Sequence, residues 1–303
     1  PIARLATFLR RQQIADDAFL AEVDEEARKT AVHLRERVLT MEDPAPARSS
    51  RTSTRTVPAA RRGAGALRAV PAVVRGERIL MAAEVLTLGK ALNLGLRRAL
   101  ERDAKVVIMG EDVGKLGGVF RITDGLQKDF GEDRVIDTPL AESGIIGTAI
   151  GLALRGYRPV CEIQFDGFVY PAYDQIVSQV AKMHYRSRGL VRLPIVIRIP
   201  FGGGIGAVEH HSESPEAYFA HTPGLKVVTC SNPADGYTMI QQAIASDDPI
   251  VFLEPKRRYW EKGEVDAEAP AFPLHSSRVT RPGADVTVVA YGPMVRTALD
   301  AAT

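Results

Sequence analysis

The hydrophobic positions between residues 79 and 255 follow two alternating patterns. Short, continuous apolar runs are typical of strands buried on both faces, and the segments between them repeat their apolar residues at helical spacing. The predicted strands cover 105–110, 134–138, 159–165, 194–200, 225–230 and 249–255, and the predicted helices cover 84–102, 123–130, 142–154, 169–187, 215–221 and 233–246. This alternation predicts an α/β fold whose parallel sheet is covered on both faces by crossover helices.

Both ends of the chain add further elements. Residues 1–43 predict a helical segment, because Asp16 is a suitable N-cap and apolar residues recur at helical spacing from Phe19 to Val38. A single apolar stripe cannot form its own core, so this segment is expected to pack on another surface. Residues 283–303 predict one strand and one helix, which we interpret as the truncated start of a second α/β domain.

The stretch between the first helix and the α/β pattern has a different composition. Residues 44–76 contain no Asp or Glu and show no period, which predicts a flexible linker; a transit peptide has a similar composition, but the mid-chain position argues against it. The chain therefore divides into a helical segment (1–43), a linker (44–78), an α/β domain (79–255), a connector (256–277) and the start of a further domain (278–303).

Composition and charge narrow the class of protein. The chain has 303 residues, of which 45% are hydrophobic and 25% charged, as in a globular enzyme. Its net charge of +2 becomes −5 when the seven arginines of residues 44–76 are left out (2 − 7), so nucleic-acid binding is not expected. No apolar stretch is long enough to span a membrane, and two cysteines without a CxxC spacing fit a reducing compartment.

A glycine run, FGGGIGA at 201–207, follows a predicted strand. Its spacing resembles a dinucleotide fingerprint, but that fingerprint needs a helix to begin at once, and none is predicted before residue 215. The alternative is a loop at the carboxyl end of a strand, where open α/β sheets bind ligands. The next segment carries His210 and His211, which match no usual zinc spacing, so an ordinary hydrogen-bonded role and a functional role both stay open.

Two other positions have both an ordinary and a functional interpretation. Glu142 falls in the first turn of a predicted helix, where an acid stabilises the helix dipole or, at the mouth of the sheet, exchanges a proton with a ligand. Phe168 belongs to an aromatic cluster at a strand–helix junction, which either packs in the core or offers one ring for stacking on a flat heterocycle. Spacing alone does not choose between them.

Several spaced motifs resemble one family. They are GEDVG (110–114), DTPLAESGIIGTAIGLALRGYRPVCEIQF (137–165), PAYDQI (171–176), HSESPEAYFAH (211–221) and PGLKVV (223–228). Over residues 79–303 the chain resembles the beta subunit of the thiamine-diphosphate-dependent decarboxylating component of 2-oxo acid dehydrogenase complexes. The resemblance implies a transketolase-like pyrimidine-binding domain. Residues 1–43 are similar to the C-terminal tail of the alpha subunit of that component, and whether this junction is natural stays open.

The resemblance also implies roles for individual residues. Glu142 aligns with the glutamate that bonds the aminopyrimidine ring of thiamine diphosphate, and Phe168 aligns with the aromatic position beside that ring. His211 aligns with the active-site histidine that assists transfer to lipoate. Glu111 matches an acid that lines the passage between paired cofactor sites.

Two kinds of metal ion are implied by the resemblance. In this family the alpha subunit holds Mg²⁺ and the diphosphate through a Gly-Asp-Gly motif, which is absent from this sequence. A structural K⁺ would be bound largely by backbone carbonyls at the positions that match Ile195, Ala243, Ser246 and Asp248. Ser246 and Asp248 depart from the family's usual residues.

The implied activity is that of a 3-methyl-2-oxobutanoate dehydrogenase (lipoamide) type enzyme, the oxidative decarboxylation of branched-chain 2-oxo acids. The alternatives are a pyruvate dehydrogenase beta subunit and a catalytically incomplete assembly fragment. The implied partners are the alpha subunit, in an assembly of two alpha and two beta chains, and the lipoyl-bearing dihydrolipoyl acyltransferase core. The implied location is the cytoplasm of a bacterium, or the mitochondrial matrix of a eukaryote.

Overall fold

A computed structural model describes residues 2–40 and 83–303 and divides the chain into two compact units. The predicted linker at 44–78 lies outside the described residues. None of the described helices is both long and apolar enough to cross a membrane.

The first unit contains two helices, α1 (Ile2–Arg11) and α2 (Asp17–Thr40), where the sequence pattern predicts a helical segment. The turn between them is closed by polar side chains. Asp16 Oδ1 accepts the backbone N–H of Phe19 at 2.8 Å, which is the expected N-cap bond, and Arg10 pairs with Asp17 at 2.5 Å. The side chains of Phe19 and Val23 on α2 are exposed.

The second unit is built around a parallel sheet of six strands. The strands are β2 (Val106–Gly110), β3 (Val135–Asp137), β4 (Arg158–Glu162), β5 (Val196–Phe201), β6 (Lys226–Thr229) and β7 (Ile250–Pro255). Their order across the sheet is β3-β2-β4-β5-β7-β6, and every neighbouring pair is parallel. The predicted α/β fold with a parallel sheet is confirmed.

Helices cover both faces of this sheet, so two apolar cores form. One lies under α3 (Leu88–Arg102) and α8 (Pro233–Ala245), and includes Leu92, Ile108 and Phe252. The other lies under α5 (Glu142–Leu154) and the turns that follow β4. The remaining helices of the sheet region are α4 (Leu126–Phe130), α6 (Met183–Arg186) and α7 (Glu216–Ala220).

The predicted helix over 84–102 begins four residues late. Residues Glu84–Thr87 form strand β1, which pairs antiparallel with β8 (Lys262–Val265) in a segment where the sequence pattern indicates only a connector. The Thr87 side chain then accepts the backbone N–H of Lys90 and so caps α3. A four-residue strand without a strong apolar run is hard to recognise until its partner is known.

The predicted helix over 169–187 is divided into three short pieces. A 3₁₀ helix (Asp166–Ala172) and a π-helical turn (Gln175–Val180) precede α6. Pro171 lies inside the first piece, and a proline removes a helical hydrogen bond and clashes with the preceding turn. The aromatic residues near Pro171 therefore lie on a tight turn and not on a regular helix.

The last segment contains a helix, α9 (Met294–Ala301), but not the strand predicted before it. Val286, Val288 and Val289 are mainly exposed and pair with no strand among the described residues. An apolar run becomes a strand only when a neighbouring strand satisfies its backbone.

The close contact between α3 and α8 requires a glycine at position 95. A Cβ at Gly95 would lie 2.4 Å from Ile240 Cγ2 and 2.9 Å from the Tyr237 carbonyl oxygen. We expect Gly95→Ala to lower the free energy of unfolding by about 1–3 kcal/mol, because the two helices must separate. The control is Gly147→Ala on the exposed face of α5, where nothing lies within 4 Å and alanine should stabilise the helix by about 0.5–1 kcal/mol. Urea unfolding measures both changes, and equal effects would contradict the close contact.

Candidate active site

The candidate residues lie where four neighbouring strands end. Glu111 directly follows β2, Glu142 begins the helix after β3, Phe168 lies in the turn after β4, and His211 lies in the loop after β5. The chain moves from β2 outward to β3 and then crosses to β4 on the other side of β2, so the strand order reverses between β2 and β4. Open α/β sheets bind ligands at such a switch point, outside the carboxyl ends of the strands.

Two carboxyl groups lie close together at this edge. Glu111 and Glu142 are each 7% exposed, and Glu111 Oε1 has no hydrogen-bond partner among the described residues. Burial raises the pKa of Glu111, and the neighbouring charges of Glu142 and Asp112 raise it further. A buried acid that is both unpartnered and harder to ionise is suited to exchanging a proton with a ligand.

Aromatic rings form the adjoining wall. The ring of His211 packs edge-on against Phe165 at 4.5 Å and Phe168 at 5.1 Å between centroids. His211 is half-buried, and its Nδ1 has no partner among the described residues, whereas His210 is exposed beside Glu209. Both imidazoles lie near Phe168, with the His210 ring 6.0 Å from it between centroids, but only the half-buried His211 ring also packs against Phe165.

The histidine loop approaches the aromatic turn so closely that the turn needs a glycine. A Cβ at Gly167 would lie 2.2 Å from the carbonyl oxygen of His210. Gly202 begins the same loop with φ +85°, and its N–H is shared between Asp166 Oδ2 and the Glu213 carbonyl. These contacts fix the loop that carries His211 against the turn that carries Phe168.

Sequence reasoning missed two buried ionic groups beneath the site. Lys256 Nζ donates to Asp166 Oδ2 at 2.7 Å, and both side chains are fully buried. Arg198 donates two hydrogen bonds to Glu254 and one to Glu162, at 2.6–2.9 Å. A signal was available, because a charged residue inside an apolar strand needs a partner on a neighbouring strand, and Glu162 and Arg198 are paired in the register.

The predicted potassium ligands lie at the other edge of the sheet. Ile195 precedes β5, Ala243 is in the last turn of α8, and Ser246 and Asp248 lie between α8 and β7. A cavity of about 670 Å³ adjoins this region and is lined in part by Asp248. The structure therefore separates these four residues from Glu111, Glu142, Phe168 and His211.

The geometry at the carboxyl edge fits a flat, proton-exchanging ring. Two buried carboxyl groups attract a cationic or hydrogen-bond-donating ring, and a half-buried phenyl ring offers a face for stacking. The unpartnered atoms Glu111 Oε1 and His211 Nδ1 are polar groups that a ligand would satisfy. Among the described residues there is no group of three or more His, Cys, Asp or Glu side chains that could hold a metal ion.

Residues 84–261 match the family described as the transketolase pyrimidine-binding domain. The six parallel strands and the loops that carry the candidate residues lie within this match. The fold is also similar to that of a solved structure titled "Split gene transketolase, inactive beta4 tetramer", with a TM-score of 0.58 and 22% identity, over 72% of this chain and 66% of that one.

Sequence comparison with named proteins identifies the class of enzyme subunit more closely. The chain is 65% identical over 217 residues to the pyruvate dehydrogenase E1 component subunit beta of Leifsonia xyli, and 56% identical to the 3-methyl-2-oxobutanoate dehydrogenase subunit beta of Mycobacterium tuberculosis. It is 48% identical to the 2-oxoisovalerate dehydrogenase subunit beta of Bacillus subtilis. These matches cover 72% of this chain and 64%, 62% and 67% of the relatives.

The chain therefore belongs to the transketolase pyrimidine-binding family and, within it, to the beta subunits of 2-oxo acid dehydrogenases. It spans slightly less than two thirds of the length of the first two relatives.

The raised pKa of Glu111 predicts a dependence of stability on pH. In the unfolded chain the pKa of a glutamate is about 4.3, and in the folded protein the pKa of Glu111 is higher. The free energy of unfolding therefore falls as the pH rises from the lower of these two pKa values to the higher. Above that window the folded protein carries the whole cost of the buried charge. We therefore expect Glu111→Gln to be more stable than the wild type at pH 8, and this gain to shrink at pH 5.

Thermal unfolding at both pH values measures this effect. The control is Glu132→Gln, which changes an exposed glutamate. A Glu111→Gln variant that is less stable than the wild type at pH 8 would contradict the buried, unpartnered carboxylate.

Proposed function

We propose that this chain is the beta-type subunit of a thiamine-diphosphate-dependent 2-oxo acid dehydrogenase component that acts on branched-chain 2-oxo acids. The observation that supports the proposal is that Glu111, Glu142, Phe168 and His211 follow four neighbouring strands at the switch point of the sheet. The relatives named as beta subunits support the subunit class, and they include both pyruvate and branched-chain types.

The chain's own residues would each perform a separate task. Thiamine diphosphate, when bound, supplies the electron sink that allows a 2-oxo acid to lose CO₂. Glu142 would hold a proton at a ring nitrogen of the pyrimidine, and Phe168 would stack on the ring. His211, held edge-on by Phe165 and Phe168, would present a ring nitrogen to the acyl group during its transfer to lipoate. Glu111 would pass protons to and from the Glu142 side of the site.

The diphosphate and its Mg²⁺ would be held by a second chain. This sequence has no Gly-Asp-Gly motif, and among the described residues there is no group of three or more His, Cys, Asp or Glu side chains that could hold a metal ion. We infer an alpha subunit as the partner, in an assembly of two alpha and two beta chains, with the lipoyl-bearing acyltransferase core as the acceptor. The predicted similarity of residues 1–43 to an alpha-subunit tail stays a prediction.

The choice of branched-chain substrates rests on the motif HSESPEAYFAH (211–221), which resembles branched-chain enzymes more closely than typical pyruvate dehydrogenases. Subunits of branched-chain enzymes and of pyruvate dehydrogenases both match at high identity, so pyruvate is the alternative substrate. A catalytically incomplete assembly fragment is the second candidate, and the missing diphosphate motif favours it for the isolated chain. Because the relatives named above are bacterial, we infer a bacterial cytoplasmic location.

The first test of the function changes the proton-holding group. The full-length gene product co-expressed with an alpha subunit should decarboxylate 3-methyl-2-oxobutanoate only when thiamine diphosphate and Mg²⁺ are present. Glu142→Gln should lower the rate by about 10²–10⁴-fold, since general acid–base help is lost while the shape is kept. The rate is followed with an artificial electron acceptor.

The matched control is again Glu132→Gln, which should leave the rate unchanged. A loss of less than about threefold in Glu142→Gln would return this residue to the role of stabilising the helix dipole. Faster turnover of pyruvate by the wild type would contradict the substrate assignment and leave the subunit assignment intact.

The second test compares the neighbouring histidines. His211→Ala should slow transfer of the acyl group to lipoate by roughly 10²-fold, because its half-buried imidazole packs against both Phe165 and Phe168 and has an unpartnered Nδ1 among the described residues. His210→Ala should change the rate by less than about threefold, since His210 is exposed beside Glu209. Transfer to a lipoyl domain is measured apart from decarboxylation, and equal losses in both variants would contradict the separate surroundings of the two rings.

A further inference from the structure

The C-terminal end of α8 is occupied by a guanidinium group from a different part of the chain. Arg158, the first residue of β4, donates from Nη1 to the Ile244 carbonyl at 3.1 Å and to the Ser246 carbonyl at 3.0 Å. Its Nη2 donates to Asp247 Oδ1 at 2.9 Å. The last carbonyls of a helix lack partners within the helix and carry partial negative charge, so a cation is stabilising there.

All four carbonyls that the resemblance assigns to potassium already accept a hydrogen bond. Ser246 O accepts from Arg158 Nη1, and Ala243 O accepts from the Ser246 backbone N–H at 3.2 Å. Ile195 O accepts from the Ile250 N–H at 2.9 Å. Asp248 O accepts from the Ser246 hydroxyl at 3.3 Å.

The side-chain charges around the C-terminal end of α8 are balanced. Asp247 pairs with Arg158 and lies 3.9 Å from Arg192, and Arg158 also lies 3.7 Å from Asp103. Asp248 is paired with Lys226 at 2.7 Å. Among the described residues, three cations thus face three carboxylates, so these side chains add no excess negative charge that would favour a metal ion.

We propose that the Arg158 guanidinium is the built-in cation of this site and takes the place that the family resemblance gives to K⁺. A potassium ion bound to Ser246 O would share that oxygen with a guanidinium nitrogen, and like charges at such a distance repel strongly in a partly buried site. Arg158 also ties the start of β4 to the end of α8, so the segment that carries Ser246 is fixed by this chain's own side chain. The fold of this chain therefore does not depend on potassium.

The test compares thermal unfolding of the protein in KCl and in choline chloride at equal ionic strength. The wild type should unfold at the same temperature in both salts. Arg158→Ala should unfold at a temperature lower by about 4–8 °C, because three hydrogen bonds from a charged group are lost. Arg192→Ala is the matched control, since Arg192 is more exposed and lies near the same Asp247, and it should change little.

Three results would overturn the proposal. They are a rise of several degrees in wild-type unfolding temperature that is specific to KCl, an Arg158→Ala variant as stable as the wild type, and an anomalous-scattering peak beside Ser246 O in crystals grown with RbCl. If Arg158→Ala does not fold, Arg158→Lys serves in its place, because a lysine cannot reach two carbonyls and Asp247 in one planar fork. That variant should be less stable than the wild type, and equal stability would also overturn the proposal.

Discussion

The carboxylate of Asp166 is the constraint on which the candidate site depends. It accepts from Lys256 Nζ at 2.7 Å and from the N–H groups of Gly202 and Gly167 at 3.1 Å each. These three donors lie after three strands of the sheet, so one buried anion holds together the loop that carries His211, the turn that carries Phe168 and the end of β7. Removing one partner of such a pair leaves a buried charge without compensation, which typically costs about 3–5 kcal/mol.

The same edge of the sheet carries an excess of negative charge. Among the described residues, five buried acids face two buried bases: Glu111, Glu142, Glu162, Asp166 and Glu254 against Arg198 and Lys256. Burial raises the pKa of Glu111 and of Glu162, and nearby carboxylates raise each further. This arrangement stabilises the fold less than a balanced one would, and it supplies what a proton-exchanging site for a cationic ring needs. A bound cationic or hydrogen-bond-donating group would therefore offset this excess of buried acids, which the fold alone leaves uncompensated.

The sequence predicts the sheet better than it predicts the site. Apolar runs identified all six parallel strands, because a strand that is buried on both faces has apolar residues at successive positions and not only at every second one. The strand ends then indicated where Glu142, Phe168 and His211 lie. The pattern did not reveal that Pro171 divides the helix after β4, or that Asp166 and Lys256 meet, because ninety residues separate these two and only the strand order brings them together. The β1–β8 pair was missed because its two strands are short and far apart in the sequence.

The two edges of the sheet satisfy their polar groups differently, and this difference agrees with the proposed site at the carboxyl edge. At the amino edge, Arg158 pairs with Asp247 and donates to two carbonyls at the end of α8, and Lys226 pairs with Asp248. At the carboxyl edge, each of the six parallel strands ends in, or is followed by, a buried polar atom without a partner among the described residues: Glu111 Oε1, Thr138 Oγ1, Gln175 Oε1, His211 Nδ1, Thr229 Oγ1 and Arg258 Nε. Unpartnered buried polar atoms are costly, so a ligand, a partner chain or water that satisfied them would stabilise this edge. A bound ring and a partner chain at that edge would both supply such groups, whereas none of these six atoms belongs to the described residues of the amino edge.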